Sequence, residues 1–356
     1  MRSRTPHEKL ARYYVGLLGG LEDVVAGELA QRVPEAEVVG QRHGRLFVEY
    51  AGGPEPLTRL RSIENVFAYV AEFDGLSCRR DGLQEVENYL GEVGLGPPAQ
   101  LWQQLHGVVA GPVFRVTGTR SGEHEYKSQE IAAAAGSAIQ AAYGWDVDLK
   151  NFNFEVTVEV EDDHCLVGLR LTPEALHKRS RVVHGIASLN PTAAYAMSVL
   201  SDPQPDEVVL DPMCGTGTIL IERAALGPAR LIGSDAFGEA MHEARMNVDA
   251  SGVSAHLIQA DARRLPFASA SLDKVLCNLP WGRRVLSYRA IRRLYKRFVP
   301  ELERVLRPGG RAVLLTTQWG LMVSLVHRAP SLAIAEDRII RVSGMKPHLY
   351  ILRKGD

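Results

Sequence analysis

A glycine-rich turn between a predicted strand and a predicted helix is the first segment of this chain that could bind a ligand. It spans residues 211–218 (DPMCGTGT), and an apolar helix follows immediately. Glycines at such a turn let the backbone approach a ligand and leave helix N-terminal amides free to face it. Residue 220 is a leucine where a dinucleotide motif has its third glycine, and the Gly-Lys-Ser/Thr of a P-loop is absent. The turn therefore favours a zwitterionic ligand with a ribose over a pyrophosphate, with contacts expected from Asp211, Cys214, Gly215 and Gly217.

Two more acidic residues end the next two predicted strands. Asp235 follows the turn by about twenty residues, where a carboxylate can accept hydrogen bonds from both hydroxyls of a ribose. Asp261 lies at the end of the third strand, where it can meet an adenine amino group. One such acid alone is more often a helix cap or a solvated loop residue. Three acids at corresponding strand ends favour a shared ligand, because open parallel sheets bind ligands beyond those ends.

A second motif, residues 278–282 (NLPWG), ends the predicted fourth strand. It resembles the Asn-Pro-Pro-Tyr type of motif in methyltransferases that act on a nitrogen conjugated to an aromatic ring. It departs from that pattern at Leu279 and at Trp281, whose ring is wider than that of Tyr or Phe. Asn-x-Pro also starts ordinary turns, and a tryptophan can simply cover a core. The position at the end of a fourth strand favours the catalytic interpretation.

The chemistry of this motif follows from the weakness of the nucleophile. A conjugated amine attacks poorly because its lone pair is delocalised into the ring. The side-chain oxygen of Asn278 and a backbone carbonyl can accept its two N–H groups, which favours a pyramidal nitrogen. Pro280 fixes the turn, and Trp281 can stack on a base lifted out of its helix. Positioning then carries most of the catalysis, without a metal or a strong general base. Asn278, Pro280 and Trp281 are the predicted catalytic residues, and Asn278 is also expected to border the cofactor.

The elements that must position these motifs alternate between apolar strands and helices from about residue 190 onward. Strands are predicted at residues 208–210, 231–233, 256–258, 274–277 and 312–316, with helices from residues 218 and 239 and over 290–305. This rhythm indicates a parallel sheet with helices on both faces. A hairpin is predicted after it, with strands at residues 339–342 and 349–352 around Gly344 and Pro347. That hairpin would add an antiparallel strand to the sheet.

Two smaller α+β blocks precede this segment. The first has predicted strands at residues 13–18, 45–50 and 66–71 and helices at 22–29 and 57–63, a pattern typical of a ferredoxin-like domain. A stretch with glycine and proline, residues 91–98, marks a predicted boundary. The second block has predicted strands at residues 113–117, 153–160 and 165–171 and an alanine-rich helix at 128–143.

The second block also carries a resemblance to a known domain. Residues 114–120 (FRVTGTR), 128–132 (SQEIA) and 147–151 (VDLKN), then 167–169 and the basic segment 176–181, resemble the THUMP domain of RNA-modifying enzymes. The overall prediction is an α/β chain in which a Rossmann-like class I methyltransferase sheet is preceded by a ferredoxin-like plus THUMP α+β RNA-binding region. The predicted domains are residues 1–75 (ferredoxin-like), 76–180 (THUMP) and 181–356 (methyltransferase).

The motifs at residues 211–218 and 278–282 together resemble the core of RNA guanine-N2 methyltransferases. With the THUMP-like and ferredoxin-like blocks, the resemblance covers nearly the whole chain. It is closest to the THUMP-containing tRNA methyltransferases that make N2-methylguanosine in the acceptor stem. The resemblance implies S-adenosylmethionine as cofactor and tRNA as partner, with the THUMP domain gripping the 3′ end and presenting the stem. By the same resemblance, Asn190, Pro191 and Thr192 help to hold the methionine end of the cofactor.

Basic residues beside these motifs are candidates for phosphate contacts. Residues 283–297 contain seven arginines and lysines and no acidic residue, with two tyrosines interleaved. Such a run is usually a solvated helix face, but its place directly after the catalytic motif favours contacts with RNA phosphates at least as strongly. The basic segment before the core is equally compatible with a charged linker. The predicted RNA-binding residues are Arg115, Lys178, Arg179, Arg181, Arg283, Arg284, Arg292 and Arg293.

Composition excludes several other classes. Among 356 residues, 46% are apolar and 23% charged, and the formal net charge of −1 hides the local basic segments. The four cysteines lack metal-ligand spacing and are expected to be reduced thiols, so neither a zinc site nor a disulfide framework is predicted. No apolar stretch approaches the roughly 20 residues of a membrane span, and no secretory signal is predicted. We expect a cytoplasmic protein, monomeric, without a metal or a membrane.

Three functions remain open at this point. The favoured one is methyl transfer from S-adenosylmethionine to the N2 amine of a tRNA guanine. The second keeps the chemistry but changes the target to 23S rRNA guanine or to DNA adenine, and the THUMP resemblance argues against DNA. The third is a non-catalytic RNA-binding subunit. The intact set Asp211, Gly215, Gly217, Asp235 and Asn278 argues against it, because such a subunit has no chemical need for them.

Overall fold

The computed structural model describes residues 10–179, 182–183, 188–282, 287–342 and 344–355. The chain divides into two compact units, Met1–Leu17 with Ala26–Leu176 and Leu18–Val25 with His177–Asp356. No helix among the described residues is long and apolar enough to cross a membrane.

The first unit is built on one mixed sheet with helices. Its elements are β1 (Ala11–Leu17), α1 (Glu22–Arg32, which begins in the second unit), β2 (Glu37–Arg42), β3 (Arg45–Tyr50), α2 (Glu55–Thr58), β4 (Ile63–Phe73), α3 (Gly82–Glu92), α4 (Gly96–His106), β5 (Val113–Ser121), α5 (Ser128–Tyr143), β6 (Asp146–Val147), β7 (Phe154–Glu161) and β8 (His164–Arg170). The eight strands follow the order β2-β3-β1-β4-β8-β7-β5-β6.

A single pairing joins the two predicted N-terminal blocks. β4 pairs antiparallel with β8, from Phe67 opposite Arg170 to Phe73 opposite Cys165. The boundary predicted after residue 75 therefore lies just beyond a strand that shares its sheet with the second block. The domain limits at residues 1–75, 76–180 and 181–356 stay a prediction.

Several element predictions for this unit were wrong in detail. The helix predicted at residues 57–63 stops at Thr58, because Ile63 already belongs to β4 and pairs with Leu17. The stretch at residues 91–98 separates α3 from α4, and its prolines occupy the first turn of α4, where a missing N–H costs nothing. Strand β2 was missed, since most of its residues are exposed and no buried stripe marks it.

The second unit alternates strands and helices. Its elements are α6 (Pro191–Leu200), β9 (Val208–Asp211), α7 (Thr218–Ala224), β10 (Arg230–Asp235), α8 (Gly238–Ala250), β11 (Ala255–Gln259), β12 (Leu272–Asn278), α9 (Tyr288–Val305), β13 (Leu306–Thr316), α10 (Trp319–Val326), β14 (Leu332–Ile339) and β15 (His348–Lys354). The seven strands follow the order β11-β10-β9-β12-β13-β15-β14.

The predicted parallel sheet is confirmed. β11, β10, β9, β12 and β13 run parallel, and β15 pairs antiparallel with both β13 and β14. The chain order reverses at β9, which has β10 on one side and β12 on the other. Such a switch point is where open α/β sheets bind their ligands.

Both faces of this sheet are buried, which explains its continuous apolar runs. In β13, Ala312 and Leu314 belong to the core cluster that contains α9 and α10. The alternate residues Val313 and Leu315 belong to the cluster that contains α6, α7 and residues 18–24. Successive strand side chains point to opposite faces, so a sheet covered on both sides needs apolar residues at every position.

The hairpin at the end of the chain is displaced from its predicted position. Its first strand is β14, so of the predicted strand at residues 339–342 only Ile339 belongs to that strand, and Val342 forms an isolated bridge with Met345. Ile340 is fully buried, and the Arg341 amide donates to the Gly19 carbonyl at 3.0 Å. This contact with the residues before α1 draws the chain out of the sheet, which local sequence does not reveal. The predicted antiparallel strand is nevertheless present as β15.

A buried ion pair anchors the amino-terminal end of β9. Arg223 is 1% exposed, and its guanidinium donates to Glu207 Oε1 at 2.8 Å and to the Gln204 and Gly227 carbonyls. Removing one partner of such a pair leaves an uncompensated buried charge, which costs far more than the pair contributes.

We expect Arg223→Ala to lower the free energy of unfolding by about 3–5 kcal/mol, because Glu207 loses its guanidinium partner inside the core. Guanidinium denaturation of the full chain measures this change. The exposed Arg230 provides the matched control, with an expected change within about 0.5 kcal/mol for Arg230→Ala. Equal losses in the two variants would contradict a stabilising role for the Arg223 network.

Candidate active site

The candidate site lies at one edge of the second sheet, where the parallel strands β9, β10, β11 and β12 end. The register aligns Asp211 with Gly233 and Asp235 with Gln259. Because parallel strands end on the same side, the last residues of these four strands lie along one edge. The turn at residues 211–218, Asp235 and Asn278 therefore meet at the switch point.

The glycine-rich turn adopts a conformation that needs its glycines. Gly215 has φ +49° and Gly217 has φ +81°, both in the left-handed region. Gly217 is the residue before α7, and a Cβ placed on it would lie 3.3 Å from Val248. The turn thus brings the first amides of α7 to the strand edge. That these amides face a ligand stays a prediction.

Asp235 holds the turn and keeps acceptor capacity. Its Oδ2 accepts from the Gly215 amide at 3.1 Å and its Oδ1 from the Phe237 amide at 3.1 Å. A carboxylate has about four lone-pair sites, so two amides leave room for further donors. Asp235 can therefore position the turn and accept from a ligand at the same time.

A buried asparagine that the sequence analysis did not single out also supports the turn. Asn247 on α8 is 2% exposed and donates through Nδ2 to the Thr216 carbonyl at 3.1 Å. The same Nδ2 donates to the Val183 carbonyl, and Oδ1 accepts from the Val183 amide. One side chain thus ties α8, the turn and the residues before α6 together. A mid-helix asparagine gives no local signal of such a role.

Asp211 is buried to an unusual degree for a carboxylate. It is 2% exposed, and Oδ1 accepts from the Met213 amide at 3.2 Å. Burial raises the pKa of its carboxyl well above the usual range, and the nearby Asp235 adds to this effect. The neighbouring Cys214 is also buried, and burial raises the pKa of its thiol. Cys214 packs beside Gly233, where an added Cβ would meet its sulfur at 3.2 Å.

Asp261 lies beyond the end of β11 and is engaged by a neighbour. Its carboxylate receives Arg263 Nη2 at 2.6 Å and Nε at 2.9 Å. These charge-assisted bonds hold the pKa of Asp261 below its usual range. The Ala260 amide donates to the Asp235 carbonyl at 3.0 Å, which joins this loop to the end of β10.

The segment before α6 reaches the same turn. Asn190 caps α6, with Oδ1 accepting from the Thr192 amide at 2.7 Å and Pro191 in the first turn. The Ser188 hydroxyl lies 3.0 Å from the Thr216 hydroxyl. The three residues predicted to hold the methionine end therefore follow closely after Ser188, which contacts the turn directly. Their role stays a prediction.

The Asn-Leu-Pro-Trp turn is held by its backbone. The Leu279 amide donates to the Leu315 carbonyl at 3.0 Å. The Pro280 carbonyl accepts from the Tyr295 hydroxyl at 2.9 Å, and the Trp281 carbonyl accepts from Gln318 Nε2 at 3.1 Å. Side chains from α9 and from the start of α10 therefore fix this turn.

Two polar atoms of the turn remain unpaired within the described part of the chain. Asn278 Oδ1 and Trp281 Nε1 are both buried, and neither has a hydrogen-bond partner there. The Leu279 carbonyl likewise receives no hydrogen bond from a described residue. Buried unpaired groups cost free energy, so these atoms at a strand edge are candidates for hydrogen bonds to a ligand.

The predicted RNA-binding residues occupy different environments. Arg181, Arg283 and Arg284 lie outside the described residues. Arg292 and Arg293 are exposed on α9, and neither forms an ion pair with a described residue. Lys178 is exposed in a short 3₁₀ helix.

Two of these arginines have protein partners. Arg179 Nε donates to Glu222, a buried residue of α7, at 3.1 Å. Arg115, in the first unit, donates to Glu155 at 2.9 Å and lies 4.0 Å from the centre of the Phe152 ring. These contacts give both side chains structural roles, which the sequence did not indicate.

Two exposed aromatic residues at this edge were missed by the sequence analysis. Phe237, two residues after Asp235, is 58% exposed, and Trp319 at the start of α10 is 59% exposed. Large exposed aromatic rings are uncommon, and beside a candidate site they offer stacking surfaces. A strand-end position was the available sequence signal for Phe237. No group of three or more potential metal ligands occurs among the described residues.

Comparisons with known families and proteins agree with this geometry. Residues 178–346 match the RMKL-like methyltransferase domain, and residues 99–170 match the THUMP domain. The chain is 34% identical to a tRNA (guanine(6)-N2)-methyltransferase of Thermus thermophilus, over 94% of this chain and 97% of the relative. It is 28% identical to a tRNA (guanine(6)-N2)-methyltransferase of Archaeoglobus fulgidus, over 96% of this chain and 92% of the relative.

Solved structures share the fold. The crystal structure of TrmN from Thermus thermophilus aligns with a TM-score of 0.77 at 32% identity, covering 96% of this chain and 99% of that one. The crystal structure of SMU.472 complexed with SAH aligns with a TM-score of 0.74 at 19% identity, covering 98% of this chain and 99% of that one, a likeness of fold alone. The THUMP3 methyltransferase of Mus musculus is 37% identical but over only 57% of this chain and 43% of its own length.

The buried carboxyl of Asp211 gives a pH-dependent prediction. Below the usual Asp pKa of about 3.9, the carboxyl is protonated in both the folded and the unfolded chain. Above it the unfolded chain releases the proton while the folded chain resists, so the free energy of unfolding falls until the pH passes the raised pKa. We expect Asp211→Asn, which keeps an acceptor for the Met213 amide, to stabilise the protein increasingly as the pH rises.

Guanidinium denaturation at about pH 4 and about pH 8 measures this effect. Asp211→Asn should gain stability relative to wild type at the higher pH and little at the lower. Asp249→Asn, an exposed carboxylate on α8, is the control and should show no such trend. A gain that is the same at both pH values would show that removal of the charge is not its cause.

Proposed function

Because the chain belongs to the family of THUMP-containing tRNA guanine-N2 methyltransferases, we propose that it methylates the N2 amine of guanine 6 in tRNA. The family uses S-adenosylmethionine as the methyl donor. Position 6 lies in the acceptor stem in standard tRNA numbering, so the proposed target is a base within a duplex. Such a base must leave its stack to reach a catalytic edge.

The observation that carries this proposal is the unpaired Asn278 Oδ1 at the end of β12. It is a buried acceptor without a described partner, beside the equally unpaired Leu279 carbonyl. An exocyclic amine brings two N–H donors and so matches two neighbouring acceptors. A hydroxyl substrate brings one donor and leaves one acceptor unsatisfied, at a cost of about 1–3 kcal/mol.

The residues around the switch point fit S-adenosylmethionine. Asp235 has acceptor sites left for the two ribose hydroxyls, and the exposed ring of Phe237 two residues later suits the face of an adenine. The left-handed turn at Gly215 and Gly217 lets a ligand approach the backbone closely. When bound, the cofactor supplies an electrophilic methyl group.

In the proposed mechanism the protein acts by orientation. Asn278 Oδ1 and the Leu279 carbonyl accept hydrogen bonds from the two N2–H groups, which localises the nitrogen lone pair away from the ring. The turn that carries these acceptors is held by Tyr295 and Gln318, so little reorganisation is needed when the base arrives. Trp281 offers a ring against which the purine can stack.

RNA contacts in this proposal come from α9. One face of this helix is buried through Ile291, Tyr295 and Phe298. The opposite face exposes five basic residues, and none of them forms an ion pair with a described residue: Arg289, Arg292, Arg293, Lys296 and Arg297. Unpaired cations on an exposed face next to the catalytic turn suit the phosphates of the acceptor stem, while a THUMP domain would grip the 3′ end.

The proposed activity is tested with unmodified tRNA transcripts and methyl-labelled S-adenosylmethionine, followed by digestion and identification of the labelled nucleoside. We expect N2-methylguanosine from guanine 6, lost when that guanine is replaced by adenine. Label in rRNA fragments and none in tRNA would identify rRNA, and not tRNA, as the substrate. Absence of label from both, with cofactor bound, would favour the non-catalytic alternative.

In the same assay, Asn278→Ala should lower kcat by roughly 10²–10³-fold, because one amine acceptor is lost. The cofactor dissociation constant, measured by calorimetry, should stay within about twofold. Asn278→Asp keeps an oxygen acceptor and should retain more activity than the alanine variant. Wild-type turnover by Asn278→Ala would rule out the acceptor role.

The α9 face is tested by the salt dependence of tRNA binding. The double variant Arg292→Ala/Arg293→Ala should weaken binding and lower the slope of log K against log salt by about 1–2, since each lost phosphate contact removes about one released ion. Arg230→Ala/Arg245→Ala removes two exposed arginines elsewhere in the unit and should leave the slope unchanged. An unaltered slope in the α9 variant would identify its basic residues as an ordinary solvated face.

A further inference from the structure

We propose that Trp319 is a second stacking platform, which holds a base next to the methylated guanine in the tRNA substrate. This inference rests on the proposed function. It assigns a binding role to a residue outside the glycine-rich turn (residues 211–218) and outside the catalytic turn (residues 278–282). The ligand class is a single unpaired or partly unstacked nucleotide.

The position of Trp319 follows from the contacts that its neighbour Gln318 makes with the turn at residues 278–282. Its neighbour Gln318 donates through Nε2 to the Trp281 carbonyl at 3.1 Å. A Cβ added at Gly282 would lie 3.0 Å from Ile291 on α9 and 3.7 Å from Gln318 Nε2. The catalytic turn, the first turn of α9 and the start of α10 therefore converge, and Trp319 lies where they meet the surface.

The ring of Trp319 lies beside another aromatic side chain and is largely exposed to solvent. Its centre lies 5.9 Å from that of His348, with an angle of 24° between the planes, and His348 is stacked in turn on Tyr350. His348 Nδ1 lies 2.8 Å from Asp337, which fixes the orientation of the imidazole. The exposed fraction of Trp319 is 59%, so a large part of the ring remains available. A ring whose orientation is already held by a neighbouring side chain loses little conformational entropy when a flat ligand stacks on it.

The charge of the surroundings points to nucleic acid as the occupant. Within two residues of Ile291, α9 exposes Arg289, Arg292 and Arg293, none of them in an ion pair with a described residue. An aromatic ring beside unpaired cations is the arrangement that binds bases by stacking and their phosphates by charge. When the target guanine leaves the duplex, its neighbours lose a stacking partner, and an exposed indole can replace it.

The test compares Trp319→Ala, Trp319→Phe and the control Met246→Ala, an exposed apolar residue on α8. Each full-length variant is assayed for its tRNA dissociation constant, its methylation kinetics, its cofactor affinity and its thermal stability. We expect Trp319→Ala to weaken tRNA binding by about 10-fold or more, the effect of losing one stacked base. Trp319→Phe should stay within about threefold of wild type. Cofactor affinity and melting temperature should not change in any variant.

A modified substrate identifies the contacted base. An abasic residue is placed at position 5 or at position 7 of the tRNA, on either side of the proposed target. At the contacted position the abasic residue should weaken binding of the wild type, and Trp319→Ala should then cause no further loss. The proposal would be overturned if Trp319→Ala still weakened binding of both abasic tRNAs. It would also be overturned if the dissociation constant of Trp319→Ala for intact tRNA stayed within about twofold of wild type.

These outcomes separate the platform from the proposed activity. N2-methylguanosine formation by wild type, with tRNA binding unaffected by Trp319→Ala, would refute the platform alone. Binding of tRNA that depends on Trp319, without N2-methylguanosine, would refute the activity and keep the stacking role. Absence of tRNA binding by the wild type would overturn both.

Discussion

Burial of the parallel sheet on both faces is the constraint on which the second unit depends. A strand covered by helices on both sides disfavours polar side chains along its length, so they concentrate where strands end. In this chain those ends carry Asp211, Asp235 and Asn278, and the reversal of strand order at β9 opens the edge between them. The helices α9 and α10 then reach the same edge, because each connects strands that run in parallel. The location of the site is thus a consequence of how the sheet is buried.

Several polar groups at this edge are buried with few or no hydrogen-bond partners among the described residues. Asp211 is buried with one amide donor, and Asn278 Oδ1 and Trp281 Nε1 have no described partner. Each of these costs folding free energy. Structural networks elsewhere, such as Arg223 with Glu207, are by contrast satisfied.

The pairing of charged side chains differs between parts of the chain, even though the formal net charge is only −1. Arg115 and Arg179 are bound to Glu155 and Glu222, so their charges are largely used within the protein. The exposed face of α9, in contrast, carries cations without acidic partners in the described chain. Overall composition therefore says little about a polyanionic partner, and the pairing of individual side chains says much more.

Local sequence determined much of this molecule. Hydrophobic periodicity predicted α5, β3 and the alternating strands and helices of the second unit, since burial on a helix or strand imposes its own period. The glycines of the turn at residues 211–218 predicted its left-handed conformation, because such backbone angles favour glycine. The motif at residues 278–282 predicted a candidate site, because amine acceptors require particular residue types. Only the tertiary structure decided the joining of β4 to β8, the displaced final hairpin, the role of Asn247, the partners of Arg115 and Arg179, and the position of Trp319. Each of these depends on a contact between residues far apart in the chain, and such contacts leave no periodic mark in the sequence.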